Sequence, residues 1–122
     1  MTSIPVSASN DYNVLIERGL LDRVGDETAK LVKPAKAVIV SGPNTFSLYG
    51  ERVTASFESA GLEVLSFVHQ GGEGAKSLDT YGKLLNFLCD NHISRSDILV
   101  ALGGGVTGDL TGFAAATYLR GV

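Results

Sequence analysis

The sequence predicts an α/β fold: a Rossmann-like parallel sheet with flanking helices. Three observations carry this. Short apolar, β-branched runs recur at Ala37–Val40, at 63–69 and at 98–102. Helical apolar periodicity recurs between them, in helices of roughly 12 to 16 residues, as crossover helices of parallel strands require. The run at 98–102 opens directly into Gly103-Gly104-Gly105 and another helical stretch.

Taken in order, Tyr12 to Arg18 reads as a strand closed by Gly19, with residues 3–8 as its candidate partner. Leu21, Val24, Thr28, Leu31 and Val32 recur at helical spacing until Pro34 stops the pattern. Ala37-Val38-Ile39-Val40 has the composition of a buried strand. Phe46, Tyr49, Val53, Phe57 and Ala60 mark a helix ended by Gly61. Glu63 to His69 is a strand. Leu78, Tyr81, Leu85, Leu88 and His92 share one helical face, and Cys89 is expected in the core beside it. Ile98 to Leu102 is a third buried strand, followed by a helix from Val106 to Tyr118. Gly121-Val122 reads as the start of a further strand with no closing element, so the sequence is expected to be a piece of a longer polypeptide.

Composition bounds the function. The chain has 122 residues, 44% hydrophobic and 19% charged, with a net charge of -3. That is one globular domain's worth. No basic footprint points to nucleic acid, and no charge block or long apolar stretch points to a membrane. The N-terminus lacks a signal-peptide pattern, and a lone cysteine allows no internal disulfide. A cytoplasmic protein is the expectation.

Three consecutive glycines are costly to order. In an open parallel sheet, ligands bind beyond the carboxyl ends of the strands. A helix starting there presents free N–H groups and a positive dipole end. Glycines at that point admit a diphosphate to the backbone. Gly108, Gly112, Ala115 and Ala116 continue as small residues and are expected to pack closely on the sheet. Residues 103–108 match G-x-G-x-x-G, but in the third strand–helix unit rather than the first, and the bland alternative is a tight turn with no ligand. Asp109 falls in the first helical turn. The dipole favours a carboxylate there by ~0.3 to 1 kcal/mol, and contact with ligand hydroxyls is the other reading.

A second polar loop, His69 to Ser77, also follows a strand. Its Gly71, Gly72 and Gly74 are flexible. Glu73 is placed to accept from ribose hydroxyls and Lys76 to offset phosphate charge. A solvated loop with Ser77 capping the next helix competes with this. His69 and His92 have no partners at metal-ligand spacing. No nucleophile with an adjacent base is recognisable.

"GGEGAKS" followed by "ALGGGVTGDLTGFAAATYLRGV" resembles the 3-dehydroquinate synthases, in the sugar-phosphate cyclase superfamily. The likeness extends back through "YNVLIERGLL" and "VIVSGPNTFSLYG", over nearly the whole chain. It implies that residues 1–122 form an incomplete N-terminal NAD-binding domain, with a helical metal-binding C-terminal domain outside this sequence. It implies bound NAD and a divalent metal, zinc or cobalt, whose ligands lie beyond these residues. It also implies conversion of 3-deoxy-D-arabino-heptulosonate 7-phosphate to 3-dehydroquinate and phosphate, in the shikimate pathway to aromatic amino acids. A small sugar phosphate and a second copy of the parent chain, as a homodimer, are the implied partners.

By the resemblance, Asn44, Gly71, Gly72, Glu73, Lys76, Gly104, Gly105, Val106, Gly108 and Asp109 contact the cofactor. Arg120 contacts substrate, where a planar guanidinium suits a carboxylate or phosphate. Without the resemblance, Arg120 is a cation favoured by a helix C-terminus. Gly42 stands where many members carry an acidic residue for the adenosine ribose, which puts that contact in question. Rival readings are a cyclase of the 2-deoxy-scyllo-inosose or 2-epi-5-epi-valiolone type, a metal-dependent polyol dehydrogenase, and a nucleotide-binding piece without catalysis.

Overall fold

The computed structural model describes residues 1–122. Thr2–Val6 (β1) and Tyr12–Ile16 (β2) pair antiparallel as a separate ribbon, with Thr2 opposite Ile16 and Val6 opposite Tyr12. A short 3₁₀ turn at Leu20–Arg23 leads into α1 (Val24–Ala29). This helix is shorter than its apolar pattern predicts. The amides of Leu31 and Val32 both turn back to the Thr28 carbonyl, and Leu31 swings outward to 84% exposure.

The main sheet is β3 (Lys36–Ser41), β4 (Glu63–Val68) and β5 (Ile98–Leu102), all parallel, in the order β4-β3-β5. The crossovers run through α2 (Pro43–Ser59) and α3 (Leu78–Asp90), and α4 (Gly105–Thr117) follows β5. Ala37 to Val40 are fully buried because β3 is central and both its faces are covered. On one side Ala37 and Ile39 pack with Val53, Phe57 and Leu62. On the other Val38 and Val40 pack with Leu84, Leu88, Ile93, Leu110 and Ala114.

Local signals set the boundaries. Pro43 stands at the start of α2, where its missing N–H costs nothing. Gly61, at φ +92°, turns the chain out of α2. Ser77 caps α3, its Oγ accepting from the Thr80 amide at 3.2 Å. Buried Asp97 ties the entry to β5 to the entry to β3, accepting from the Lys36 amide at 3.0 Å and the Ser94 amide at 2.8 Å. Against α2, Gly25 lies so close that a Cβ would stand 2.2 Å from the Ser56 carbonyl oxygen.

The structure corrects four expectations. Within residues 1–122 the run 98–102 is half-buried, not fully buried, because β5 pairs only with β3. Cys89 is exposed: α3 buries Thr80, Leu84 and Leu88, and the next position points about 100° away. Gly108, Gly112 and Ala116 lie on the outer face of α4, whose buried face is Thr107, Leu110, Thr111 and Ala114. Gly121-Val122 forms no strand. The backbone turns through positive φ at Leu119, Arg120 and Gly121, and the Val122 amide donates to the Ala115 carbonyl at 2.8 Å.

Candidate nucleotide site

All three loops leaving the carboxyl ends of β3, β4 and β5 converge on one cleft of roughly 420 Å³. Its walls come from Gly42 to Thr45, from His69 to Gly72, and from Gly104 to Thr107. The first and third of these are the starts of α2 and α4, so free backbone N–H groups gather at its rim. Apart from His69, no residue lining it is ionisable.

The three glycines after β5 are not equivalent. Gly103 has φ +151°, and a Cβ there would lie 3.0 Å from Thr107 Oγ1. The turn itself requires glycine at that position. Gly104 has an ordinary extended conformation at φ -93° and caps α4, and Gly105 is the first helical residue. A Cβ at either would meet nothing within 4 Å. The fold therefore has no need of glycine at 104 and 105. Both open onto the cleft. The loop after β4 has a similar division. Gly71 and Gly72 have φ +87° and +69°, so the backbone requires them. Gln70 braces that loop, donating to the Gly74 carbonyl at 3.1 Å and accepting from Thr80 Oγ1 at 3.2 Å.

Of the residues expected to hold a cofactor, Asn44, Gly71, Gly72, Gly104, Gly105 and Val106 line this cleft. Lys76 and Asp109 line a neighbouring one with Leu78, Tyr81 and Phe113, whose aromatic rings stand 4.8 Å apart. Lys76 Nζ pairs with Asp109 Oδ2 at 2.7 Å. The hydrogen bond to Asp109, with that carboxylate's charge and a smaller contribution from Glu73, holds the Lys76 ammonium above the ordinary lysine range. The two charges thus satisfy each other. Glu73 begins a short 3₁₀ turn, Glu73–Ala75, and is exposed outside both clefts. Gly108 is also outside both. Arg120 is exposed on the positive-φ turn after α4 and lines neither cleft.

The cofactor contacts expected from the sequence include neither Thr107 nor His69. His69 is 6% exposed and follows β4 directly, its amide donating to the Ser41 carbonyl at 2.9 Å as the sheet's last rung. Its Nδ1 accepts from the Gly71 amide at 3.0 Å, and Nε2 meets Thr107 Oγ1 at 2.8 Å. Burial holds the imidazole below its ordinary pKa. A polar residue just past a strand, ahead of two glycines, is the sequence signal that marks it. No group of three His, Cys, Asp or Glu side chains comes together to hold a metal, so these residues do not fit a divalent ion.

Residues 66–122 match the family model described as 3-dehydroquinate synthase N-terminal. The chain is 46% identical over 111 residues to the 3-dehydroquinate synthase of Streptococcus suis (strain 05ZYH33), covering 91% of this chain and 31% of the relative. It therefore spans about a third of the length of the relatives it matches. Among solved structures, it resembles 2-deoxy-scyllo-inosose synthase complexed with carbaglucose-6-phosphate, NAD+ and Co2+, with TM-score 0.85, 24% identity, and coverage of 99% of this chain and 33% of that one. It also resembles the 2-epi-5-epi-valiolone synthase of Streptomyces hygroscopicus with NAD+ and Zn2+ bound, with TM-score 0.75, 26% identity, and coverage of 97% and 32%. The strand–glycine–helix site lies within residues 66–122, the stretch that matches the 3-dehydroquinate synthase N-terminal model, and the similarity to 3-dehydroquinate synthases runs through nine-tenths of this chain.

Proposed function

We propose that these residues form the NAD-binding part of a 3-dehydroquinate synthase. The full-length protein then converts 3-deoxy-D-arabino-heptulosonate 7-phosphate to 3-dehydroquinate and phosphate. The observation that carries the cofactor assignment is the pair Gly104 and Gly105. Each leaves open space that a Cβ would occupy, neither is demanded by the backbone, and both face a cleft rimmed by two helix starts. A diphosphate fits such a cradle, because it accepts from free N–H groups and needs close backbone approach.

In this reading Gly104, Gly105 and Val106 receive the diphosphate, and Asn44 stands at the opposite wall. Lys76 and Asp109, beside the second cleft, orient the far half of the nucleotide. Bound NAD supplies a reversible hydride acceptor for a substrate alcohol. The chain's contribution is to hold the dinucleotide along the sheet's carboxyl edge and to shield one face of it. Arg120 is the residue assigned to a substrate carboxylate or phosphate. The divalent metal, the helical C-terminal domain, a cytoplasmic location and a homodimeric parent belong to the same proposal. The 46% identity to a 3-dehydroquinate synthase, against 24–26% to the other cyclases, favours this substrate over theirs.

The test is phosphate release by the full-length protein, supplied with the heptulosonate phosphate and NAD, with and without chelator. Chelator-sensitive release without net NADH is expected. Net NADH accumulation would point to a polyol dehydrogenase, and no release from this substrate would sink the assignment.

A further inference from the structure

We infer that His69 is a positioning residue: its neutral imidazole clasps together the three loops that form the nucleotide cleft. The inference rests on the nucleotide reading of that cleft for its functional consequence, and on geometry alone for the clasp. The ring touches one element from each loop. Its Nδ1 accepts from the Gly71 amide at 3.0 Å, in the loop after β4. That bond fixes the proton on Nε2, which donates to Thr107 Oγ1 at 2.8 Å, in the first turn of α4. The ring also lies under the loop after β3, where a Cβ on Gly42 would stand 3.1 Å from its Cε1. The backbone of His69 is held by the sheet, through its amide and the Ser41 carbonyl. A strand end held by the sheet therefore carries a ring that sets the spacing of the three connections.

The arrangement works only for the neutral form. A protonated ring carries N–H at both nitrogens, so Nδ1 would face the Gly71 N–H donor to donor. Burial resists that charge and lowers the ring's pKa. No other ionisable group lines the cleft to compensate. The charged residues on the surrounding elements all stand outside its lining: Lys36 and Glu63 at the far ends of β3 and β4, Glu51, Arg52 and Glu58 further along α2, and Glu73, Lys76 and Asp109 beyond the loops. Protonation of His69 should then release Gly71 and Gly72 from α4 and open the cleft that receives the diphosphate.

Three variants of the full-length protein test this: His69→Gln, which can still accept and donate, His69→Leu, which can do neither, and Thr107→Val, which removes one partner. Imidazole nitrogen shifts measured by NMR should show the Nε2–H tautomer at pH 7.5, and the Gly71 amide should exchange slowly with solvent. NAD affinity, by calorimetry, should fall at least tenfold in wild type as pH drops through the ring's own measured midpoint. His69→Gln should keep affinity within about threefold at pH 7.5 and lose that pH dependence. His69→Leu and Thr107→Val should each lose tenfold at pH 7.5. An imidazolium or an Nδ1–H tautomer at pH 7.5 overturns the clasp. So does a folded Thr107→Val or His69→Leu with wild-type affinity. Slow Gly71 exchange and the Nε2–H tautomer in a protein that binds no NAD would support the clasp and refute the nucleotide reading instead.

Discussion

Replacing Gly104 with valine separates what the fold needs from what a ligand needs. A Cβ at 104 meets no atom within 4 Å, and φ -93° with ψ -155° is open to any L-residue. The fold should therefore tolerate Gly104→Val. Two small effects on stability oppose each other. Valine restricts the unfolded chain, a gain of about 0.4–1 kcal/mol. It is also a poorer helix N-cap than glycine, a loss of similar size. The urea midpoint should move by less than about 1 kcal/mol in stability. Ligand binding should respond much more strongly. The branched side chain fills the approach to the α4 amides, and one lost charge-assisted hydrogen bond to a phosphate costs about 1.5–3 kcal/mol. That corresponds to a tenfold to hundredfold loss of NAD affinity in the full-length protein, read by calorimetry. Gly103→Ala supplies the contrast. Its φ of +151° and the 3.0 Å approach to Thr107 Oγ1 put the strain in the fold itself, at about 1–3 kcal/mol. Unchanged NAD affinity in a folded Gly104→Val protein would refute the reasoning that Gly104 is kept open for a ligand.

Gly25→Ala should cost about 3 kcal/mol in denaturant unfolding, because its Cβ would collide with the α2 backbone at 2.2 Å from the Ser56 oxygen and α1 would have to move; a loss under 0.5 kcal/mol would show that the α1–α2 contact is loose. Asp97 titrates below the ordinary carboxylate range: burial raises its pKa, and the Ser94 and Lys36 amides, the Ser94 hydroxyl and the Lys36 charge together outweigh that. The folded protein thus binds fewer protons at this site than the unfolded chain, and its stabilisation is present above about pH 4 and lost as pH falls through the depressed folded value. Asp97→Asn should destabilise by about 2 kcal/mol at pH 7, by stranding one buried amide donor, and the deficit should shrink under acid; an equal deficit at pH 7 and pH 2.5 would contradict the linkage.

The elements legible in the sequence are those whose burial follows from their own residues. Ala37 to Val40 is apolar at every position, and only a central strand covered on both faces accommodates that. Where the outcome depends on a neighbour, the residues are silent. Ile98 to Leu102 has the same composition, yet within residues 1–122 it pairs with β3 alone, because strand order is a property of the crossovers and not of the strand. Cys89 and Leu78 follow the apolar pattern of α3 but fall outside the arc that reaches the sheet, with Leu78 82% exposed. Gly108, Gly112 and Ala116 illustrate the same point on α4. Smallness permits close packing but does not select the face, and the larger Leu110, with Thr107, Thr111 and Ala114, took the interior.

The site shows a related division. Its glycines were visible as a run, yet the run mixes two causes that only backbone angles and open space tell apart. Gly103, Gly71 and Gly72 are fixed by positive φ, whereas Gly104 and Gly105 are free of both strain and contact. A resemblance assigns Lys76 and Asp109 to one cofactor without saying that they pair with each other across 2.7 Å. Nor does it find His69, whose hydrogen bonds run two residues ahead to Gly71 and 38 residues ahead to Thr107. Nothing local in the sequence joins those positions. They meet because β3 lies between β4 and β5 in the sheet, so that the residue ending β4 can reach under Gly42 to the first turn of α4. The strand order that leaves β5 paired with β3 alone is thus also what brings a buried histidine into contact with all three loops of the cleft.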